Sequence, residues 1–252
     1  MNRRSSIGAL VLPVVAVTIL TTLSVVAAQE PAAIPVENEF HHHVVLDNSY
    51  VRVLFVEIPA HESTLLHHHE LPYVSVPPGG TDAVSVPAGA QQGSRPFRVG
   101  YAPGGMSHAV TNSGDRTLRN VAIELVRPQG TIRNRCTAVV KDQPLEDCDM
   151  PKSGAAPGPS HYAAFETGEI LVEYWELPPN SAAPPMDDRM DMLVGNLTGV
   201  SVTSSSGVDS AKALRGGVLW IPAGSKPVFK TSADTGGHFI TITFKDSGSA
   251  AH

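Results

Sequence analysis

The chain has 252 residues, 42% of them apolar and only 17% charged, with 22 Gly and 21 Pro. That much Gly and Pro suits strands and turns, and the apolar content is too high for a disordered acidic chain. A net charge of −6 with 18 basic residues argues against nucleic acid as a partner. Two cysteines exclude a disulfide-dense miniprotein and a cysteine-based zinc finger.

Residues 1–28 read as a secretory signal. Arg3 and Arg4 precede an uncharged apolar run from Ile7 to Val26, and Val26-Ala27-Ala28 supplies small residues at a cleavage spacing. The competing reading is an uncleaved membrane anchor, against which stand Pro13, Thr18, Thr21, Thr22 and Ser24. No cysteine follows the run, so a lipoprotein anchor is excluded. Cleavage leaves a chain expected in a bacterial periplasm or secreted, with no membrane attachment. Loss of Arg3 and Arg4 leaves 16 basic against 24 acidic residues, a net of −8. An oxidising destination accounts for Cys136 and Cys148, which are expected to form a structural disulfide across a Pro- and Asp-containing connection. A reactive thiol pair is the alternative, but the spacing is not CxxC and no base is adjacent.

The sequence after the signal contains one unit twice. A shift of 119 residues lays Val53–Pro59 over Val172–Pro178, Pro103-Gly104-Gly105 over Pro222-Ala223-Gly224, and His42 over His161. The same shift lays Val121, Ile123 and Leu125 over Ile240, Ile242 and Phe244. One offset maintained over so long a stretch implies duplication. In the first copy, strands are expected over 44–58, 73–77, 83–87, 97–101, 109–112 and 118–126, all rich in Val, Ile, Tyr and Phe and bounded by Gly or Pro. No segment sustains a helical period, so the class is all-β, and each copy suits a small closed barrel or jelly roll.

The histidines carry the chemistry. In Leu65-Leu66-His67-His68-His69-Glu70, strand alternation sends His67 and His69 to one face and His68 to the other. Pro103-x-Gly105 forces a reversal after which His108 begins a strand and points inward. His67, His69 and His108 are therefore the expected metal ligands. His68 is read as solvent-facing, and His41, His42, His43 and His61 as surface or supporting residues. In the second copy Met186, Asp187 and Asp188 fall on the triplet and Pro227 on His108, so the site is absent there. The sequon Asn196-Leu197-Thr198 carries no information in a bacterial protein.

His61-x5-His67-x-His69 followed by Pro103-x-Gly105-x-x-His108-x-x-x-Asn112 resembles the two motifs of the cupin superfamily. The duplication makes residues 36–246 resemble a bicupin. The resemblance implies two tandem double-stranded β-helix barrels, jelly-roll-like, of which the first binds metal. The expected organisation is a signal (1–28), an N-terminal barrel (29–135), a linker with the disulfide (136–160), a degenerate C-terminal barrel (161–246) and a tail (247–252). Two departures mark the first motif. His61 stands where the family has a glycine, and Tyr73 stands where it has a glutamate ligand, which leaves three His; some cupin dioxygenases have three-His iron sites. Tyr73 is either a core aromatic or a hydrogen-bond donor beside the metal.

Three neutral imidazoles leave a divalent ion its full charge and open coordination positions, which favour a small anionic organic ligand or substrate. Iron is the expected ion for an oxygenase, and zinc, manganese, nickel and copper also suit the donors. The reading is an exported, metal-dependent enzyme of dioxygenase type, with Tyr73, Glu124 and Arg52 as candidate catalytic or supporting residues. The alternative is a non-catalytic metal- or small-ligand-binding barrel, and fold alone does not choose between them. A homodimer is compatible with either.

Overall fold

Alternation of apolar residues along each short segment produces strands throughout. The computed structural model describes residues 32–79, 99–146, 148 and 158–245, so the expected signal (1–28), the expected strand 83–87 and the tail 247–252 lie outside the described residues. In the N-terminal half, β1 (Ile34–Pro35), β4 (His67–His69) and β7 (Met106–His108) form a small sheet in the order β1-β4-β7. β2 (His42–Asp47), β3 (Val51–Ile58), β5 (Tyr73–Val76), β6 (Gly100–Ala102) and β8 (Leu118–Leu125) form a larger one, ordered β2-β3-β8-β5-β6. The C-terminal half begins with β9 (Ile132–Asn134), β10 (Ser160–Thr167), β11 (Ile170–Leu177) and β12 (Met192–Thr198). It continues with β13 (Val200–Thr203), β14 (Leu219–Ile221), β15 (Val228–Thr231) and β16 (Gly237–Phe244). Its sheets are ordered β14-β12-β16-β11-β10-β9 and β13-β15. Helical backbone among the described residues is confined to single 3₁₀ turns at Val36–Asn38 and Ser210–Lys212. None of the described residues forms a helix long and apolar enough to cross a membrane.

The duplication is realised residue by residue. Val51 pairs with Leu125 and Ile170 with Phe244; Tyr73 pairs with Glu124 and Met192 with Thr243. Tyr73 faces Ala102 as Met192 faces Ile221, and His42 faces Val56 as His161 faces Trp175. Even the register shift between Val44 and Leu46 recurs between Ala163 and Phe165. The isolated bridge Ser63–Thr111 reappears as Ala182–Lys230. Each pair differs from its counterpart by the 119 residues read from the sequence.

Strand parity then assigns three cores. Val51, Val53 and Phe55 of β3 and Val121, Ile123 and Leu125 of β8 pack against Val172, Tyr174, Ile240 and Ile242, so the two halves meet through equivalent sheet faces. Full burial of a side chain such as Phe55 contributes about 1.5–3 kcal/mol. The opposite face of β3 and β8, with Leu54, Val56, Ile58 and Ala122, lines the interior of the first barrel. The second barrel's interior holds Trp175, Leu177, Val194, Phe229 and Phe239. Phe229 and Phe239 stack at 4.4 Å and Trp175 stacks on Phe239 at 5.7 Å, so aromatic rings fill that barrel.

Two strand expectations are corrected. The expected 44–58 is two strands, because Asn48 Oδ1 accepts hydrogen bonds from the Tyr50 and Val51 amides and turns the chain. The expected 109–112 is replaced by β7, and beyond it only Thr111 bridges to Ser63. Val110 is diverted to the Thr64 hydroxyl, and Asn112 Nδ2 donates to the carbonyls of Ile58, Pro59 and Arg116, closing a loop rather than a ladder. The sequon residue Asn196 is buried, with only 3% of its surface exposed, and so offers no acceptor for a glycan.

Cys136 and Cys148 form the disulfide. The loop between them is also gathered by Asn134, which donates to the carbonyls of Val140 and Gln143 and accepts from the amides of Val139 and Val140. Replacing both cysteines by serine should lower unfolding stability by about 2–3 kcal/mol, as read by urea denaturation. Unchanged stability would mean that Asn134 alone holds the loop.

Candidate metal centre

The site is built where β4, β7 and β2 line the first barrel. The Gly105 amide donates to the His69 carbonyl at 2.8 Å, and Gly105 adopts φ +75°, open to glycine at little cost. A Cβ on Gly104 would collide with the backbone of Glu70 and Leu71, so the Pro-Gly-Gly turn is pressed onto the end of β4. That contact fixes the antiparallel register in which His67 faces His108. His67 and His69 are buried as alternation requires, while His68 points outward to Ser107 and Glu70.

The rings of the three sequence-predicted ligands lie side by side, but the nitrogens that converge among the described residues are those of His42, His67 and His69, a set that does not include His108. Ring centroids lie 4.5 Å apart for His67 and His108, 5.2 Å for His67 and His69, and 5.3 Å for His69 and His108. His42, read from sequence as a surface or supporting residue, belongs inside this cluster. Its ring lies 4.6 Å from His67 and 6.1 Å from His69, and it is 8% exposed. One ring nitrogen from each of His42, His67 and His69 falls within a common 4.8 Å. The cause is its cross-strand partner: Val56 is small enough to leave room for an imidazole over the barrel interior. The signal available in the sequence was the alignment of His42 with His161, which marked the position but not its burial.

Hydrogen bonds on the outer side of His42, His67 and His69 set the tautomers of these three rings. His67 Nδ1 donates to the Leu65 carbonyl at 2.9 Å, His42 Nδ1 to Glu39 Oε2 at 2.6 Å, and His69 Nδ1 to Glu124 Oε1 at 3.0 Å. Carbonyl and carboxylate oxygens only accept, so each Nδ1 carries the proton and each Nε2 keeps a lone pair. His67 Nε2 and His108 Nδ1 are buried with no hydrogen-bond partner. A buried ring nitrogen without a partner costs about 1–3 kcal/mol, a cost that coordination of a cation removes. The donor set fits a metal ion.

Glu124, Arg52 and Tyr73 gather around His69. Glu124 is 1% exposed; its other oxygen takes Arg52 Nη1 at 3.4 Å, and both residues line an open cleft of about 620 Å³. The Tyr73 ring lies 4.4 Å from the His69 ring. Burial first, and the Glu124 charge second, push the Tyr73 hydroxyl above its ordinary range, so it remains a neutral donor. His61 is exposed and paired with Asp115, and His41 is buried between Glu39 and Glu62.

Burial depresses the basicity of three of these rings. His42 falls to about 4 through burial, opposed by its bond to Glu39 and aided by charge repulsion from His67 and His69. His108 also falls to about 4, through burial and then the neighbouring His67 and His69. His67 is lowered for the same reasons. In the unfolded chain a histidine takes up its proton near pH 6.5, so the unfolded state binds more protons between 6.5 and about 4. Stability of the metal-free protein carried by these neutral rings is full above pH 6.5 and is lost as pH falls toward 4. Imidazole proton resonances of His42 and His108 should titrate near pH 4, with the thermal midpoint dropping over the same interval; midpoints near 6.5 for both rings would overturn the assignment.

No protein-family model and no curated protein matches the chain by sequence. Among solved structures, it is similar to AerE from Microcystis aeruginosa at 12% identity, covering 86% of this chain and 98% of that one with a TM-score of 0.53. It is also similar to a cupin domain from Bordetella pertussis Tohama I, at 22% identity over 35% of this chain and 95% of that one, TM-score 0.29. A salicylate 1,2-dioxygenase from Pseudaminobacter salicylatoxidans aligns at 11% identity over 77% of this chain and 71% of that one, TM-score 0.47. With two strand-built halves related by the 119-residue repeat and a fold shared with AerE, the chain is a duplicated β-barrel, the architecture that its motif resemblance to bicupins implies.

Proposed function

We propose that the protein is an exported, metal-dependent enzyme of dioxygenase type that acts on a small organic anion in its N-terminal barrel. The observation that supports this most directly is the convergence of the buried His42, His67 and His69 rings, each with its Nδ1 held by an oxygen behind it. His67 and His69 would hold one divalent ion together with His42, whose ring nitrogen converges with theirs, and His108, whose buried Nδ1 has no partner, would be the further donor. A bound divalent ion would supply Lewis acidity and, as iron, oxygen chemistry. Neutral donors leave its charge uncompensated in the first ring of ligands, which is why an anionic oxygen donor is the expected guest.

The chain's own residues do the rest. Leu54, Val56, Ile58 and Ala122 give the interior apolar walls that exclude water and suit the carbon skeleton of the guest. Tyr73, kept neutral beside His69, donates a hydrogen bond to the bound anion. Glu124 and Arg52 orient His69 from behind. The disulfide Cys136–Cys148 supports an oxidising destination, in keeping with the signal read over 1–28.

Elemental analysis of protein purified without chelators should find one divalent metal per chain, with most of it lost in His67→Ala and His108→Ala. Loaded parent protein should take up oxygen with at least one member of a panel of diketones, catechols and hydroxy acids, and these variants should not. A parent without metal would remove the site; tight metal retention with no turnover of any anion would leave a binding protein instead of an enzyme. Tyr73→Phe should retain its metal and lose about tenfold in affinity for the anion, the worth of one hydrogen bond of about 1.5 kcal/mol. Unchanged affinity would make Tyr73 a core aromatic only.

A further inference from the structure

Glu39 is a buried carboxylate that neither the sequence motifs nor the metal reading uses. The 3₁₀ turn Val36–Asn38, anchored by buried Val36, reverses the chain and tucks the Glu39 side chain between β2 and the segment that enters β4. Its side chain is fully shielded from solvent. Oε2 accepts the His41 amide at 3.0 Å and His42 Nδ1 at 2.6 Å. Oε1 accepts the Leu65 amide at 3.2 Å and His41 Nδ1 at 3.2 Å. The Leu65 carbonyl, on the residue whose amide Glu39 holds, is in turn the acceptor for His67 Nδ1 at 2.9 Å.

We propose that Glu39 is a positioning residue for the metal centre, setting the tautomer and direction of His42 directly and of His67 through the Leu65 backbone. This rests on the metal reading of the pocket. Glu39 touches neither the ion nor the guest, and its part is to keep the Nε2 lone pairs of two rings on two different strands aimed at one point. A carboxylate is required because both oxygens face N–H donors only. An amide in its place turns an NH2 toward one of them, and so either His42 or the Leu65 arm loses its acceptor. Outer-shell partners of this kind are commonly worth about 10–100-fold in metal affinity.

The test combines Glu39→Gln with Glu39→Asp, which keeps the charge but is too short to reach both arms. In metal-free parent protein, long-range proton–nitrogen correlation spectra should show His42 and His67 protonated at Nδ1 and bare at Nε2. In Glu39→Gln at least one of these rings should move to the other or a mixed tautomer, while His69, held by Glu124, stays as in the parent. The zinc dissociation constant, measured by competition with a chromogenic chelator, should rise about 10–100-fold. Should Glu39→Gln fail to fold, Glu39→Asp carries the same readouts in the same direction. Unchanged tautomers and unchanged zinc affinity in a folded variant would overturn the proposal and leave the metal reading intact. A parent that binds no zinc, with tautomers that still respond to Glu39, would overturn the metal reading and leave the positioning role standing.

Discussion

The first barrel depends on imidazoles that are anchored from outside. Each of His42, His67 and His69 gives its Nδ1 proton to an oxygen behind it, supplied by Glu39, Leu65 and Glu124 in turn. Without those acceptors, rings packed 4.6–6.1 Å apart would have no preferred tautomer and no reason to aim their lone pairs inward. Packing them so closely is tolerable only if they are neutral, since two adjacent imidazolium rings in a poorly solvated pocket repel strongly. Burial favours that neutrality at His42 and His67. The apolar walls from β3 and β8 and the polar anchors behind the rings therefore act on the same quantity, the availability of a lone pair.

Duplication explains why one barrel can carry this arrangement and the other cannot. The registers match along the larger sheets, but the strands that carry His67–His69 and His108 have no counterpart at 186–188 and 225–227, and side-chain volume also differs at matched positions. Val56, opposite His42, corresponds to Trp175, opposite His161, and Asn120 and Val110 correspond to Phe239 and Phe229. In the second half these large rings stack on one another through the interior, and His161 lies flat against Trp175 at 4.0 Å. The polar group opposite Tyr73, Glu124, becomes Thr243 opposite Met192. Filling the interior with aromatic rings gives the second barrel a core of ordinary density, and that barrel presents an equivalent sheet face on which the first can rest.

The fold was legible because it is written in two periodicities, alternation along each strand and a constant offset between copies. Both survive translation into structure at Val51–Ile58, Tyr73–Val76 and Leu118–Leu125. His67 and His69 were legible for the same reason. Asn48 and Thr64 were not, because each acts through a side-chain hydrogen bond that interrupts a strand pattern without changing its apolar content. His42 lay in a run of three histidines that looks solvated, and its inward direction comes from pairing with the inward-facing Val56 and from the bond to Glu39, neither of which is local in sequence. Glu39 had no local signature at all. Its partners, His42 and Leu65, are separated by the whole of β3, and no spacing rule relates a 3₁₀ turn to the backbone leading into β4.

The absence of a glutamate among the expected ligands takes on a specific meaning in this arrangement. Tyr73 occupies that position, and the residue directly across the ladder from Tyr73 is Glu124. The negative charge has thus moved from the face that would touch an ion to the far side of the His69 ring, where Arg52 partly offsets it. Glu39 places a second carboxylate behind His42 in the same way. Charge held one imidazole away still raises the donor strength of the ring, but it occupies no coordination position and lies farther from the guest. A carboxylate ligand would compete with an anionic substrate for the same ion at the same distance. On the proposed reading, a carboxylate held behind the ring leaves an anionic guest without a competing carboxylate on the side of the rings that faces the ion.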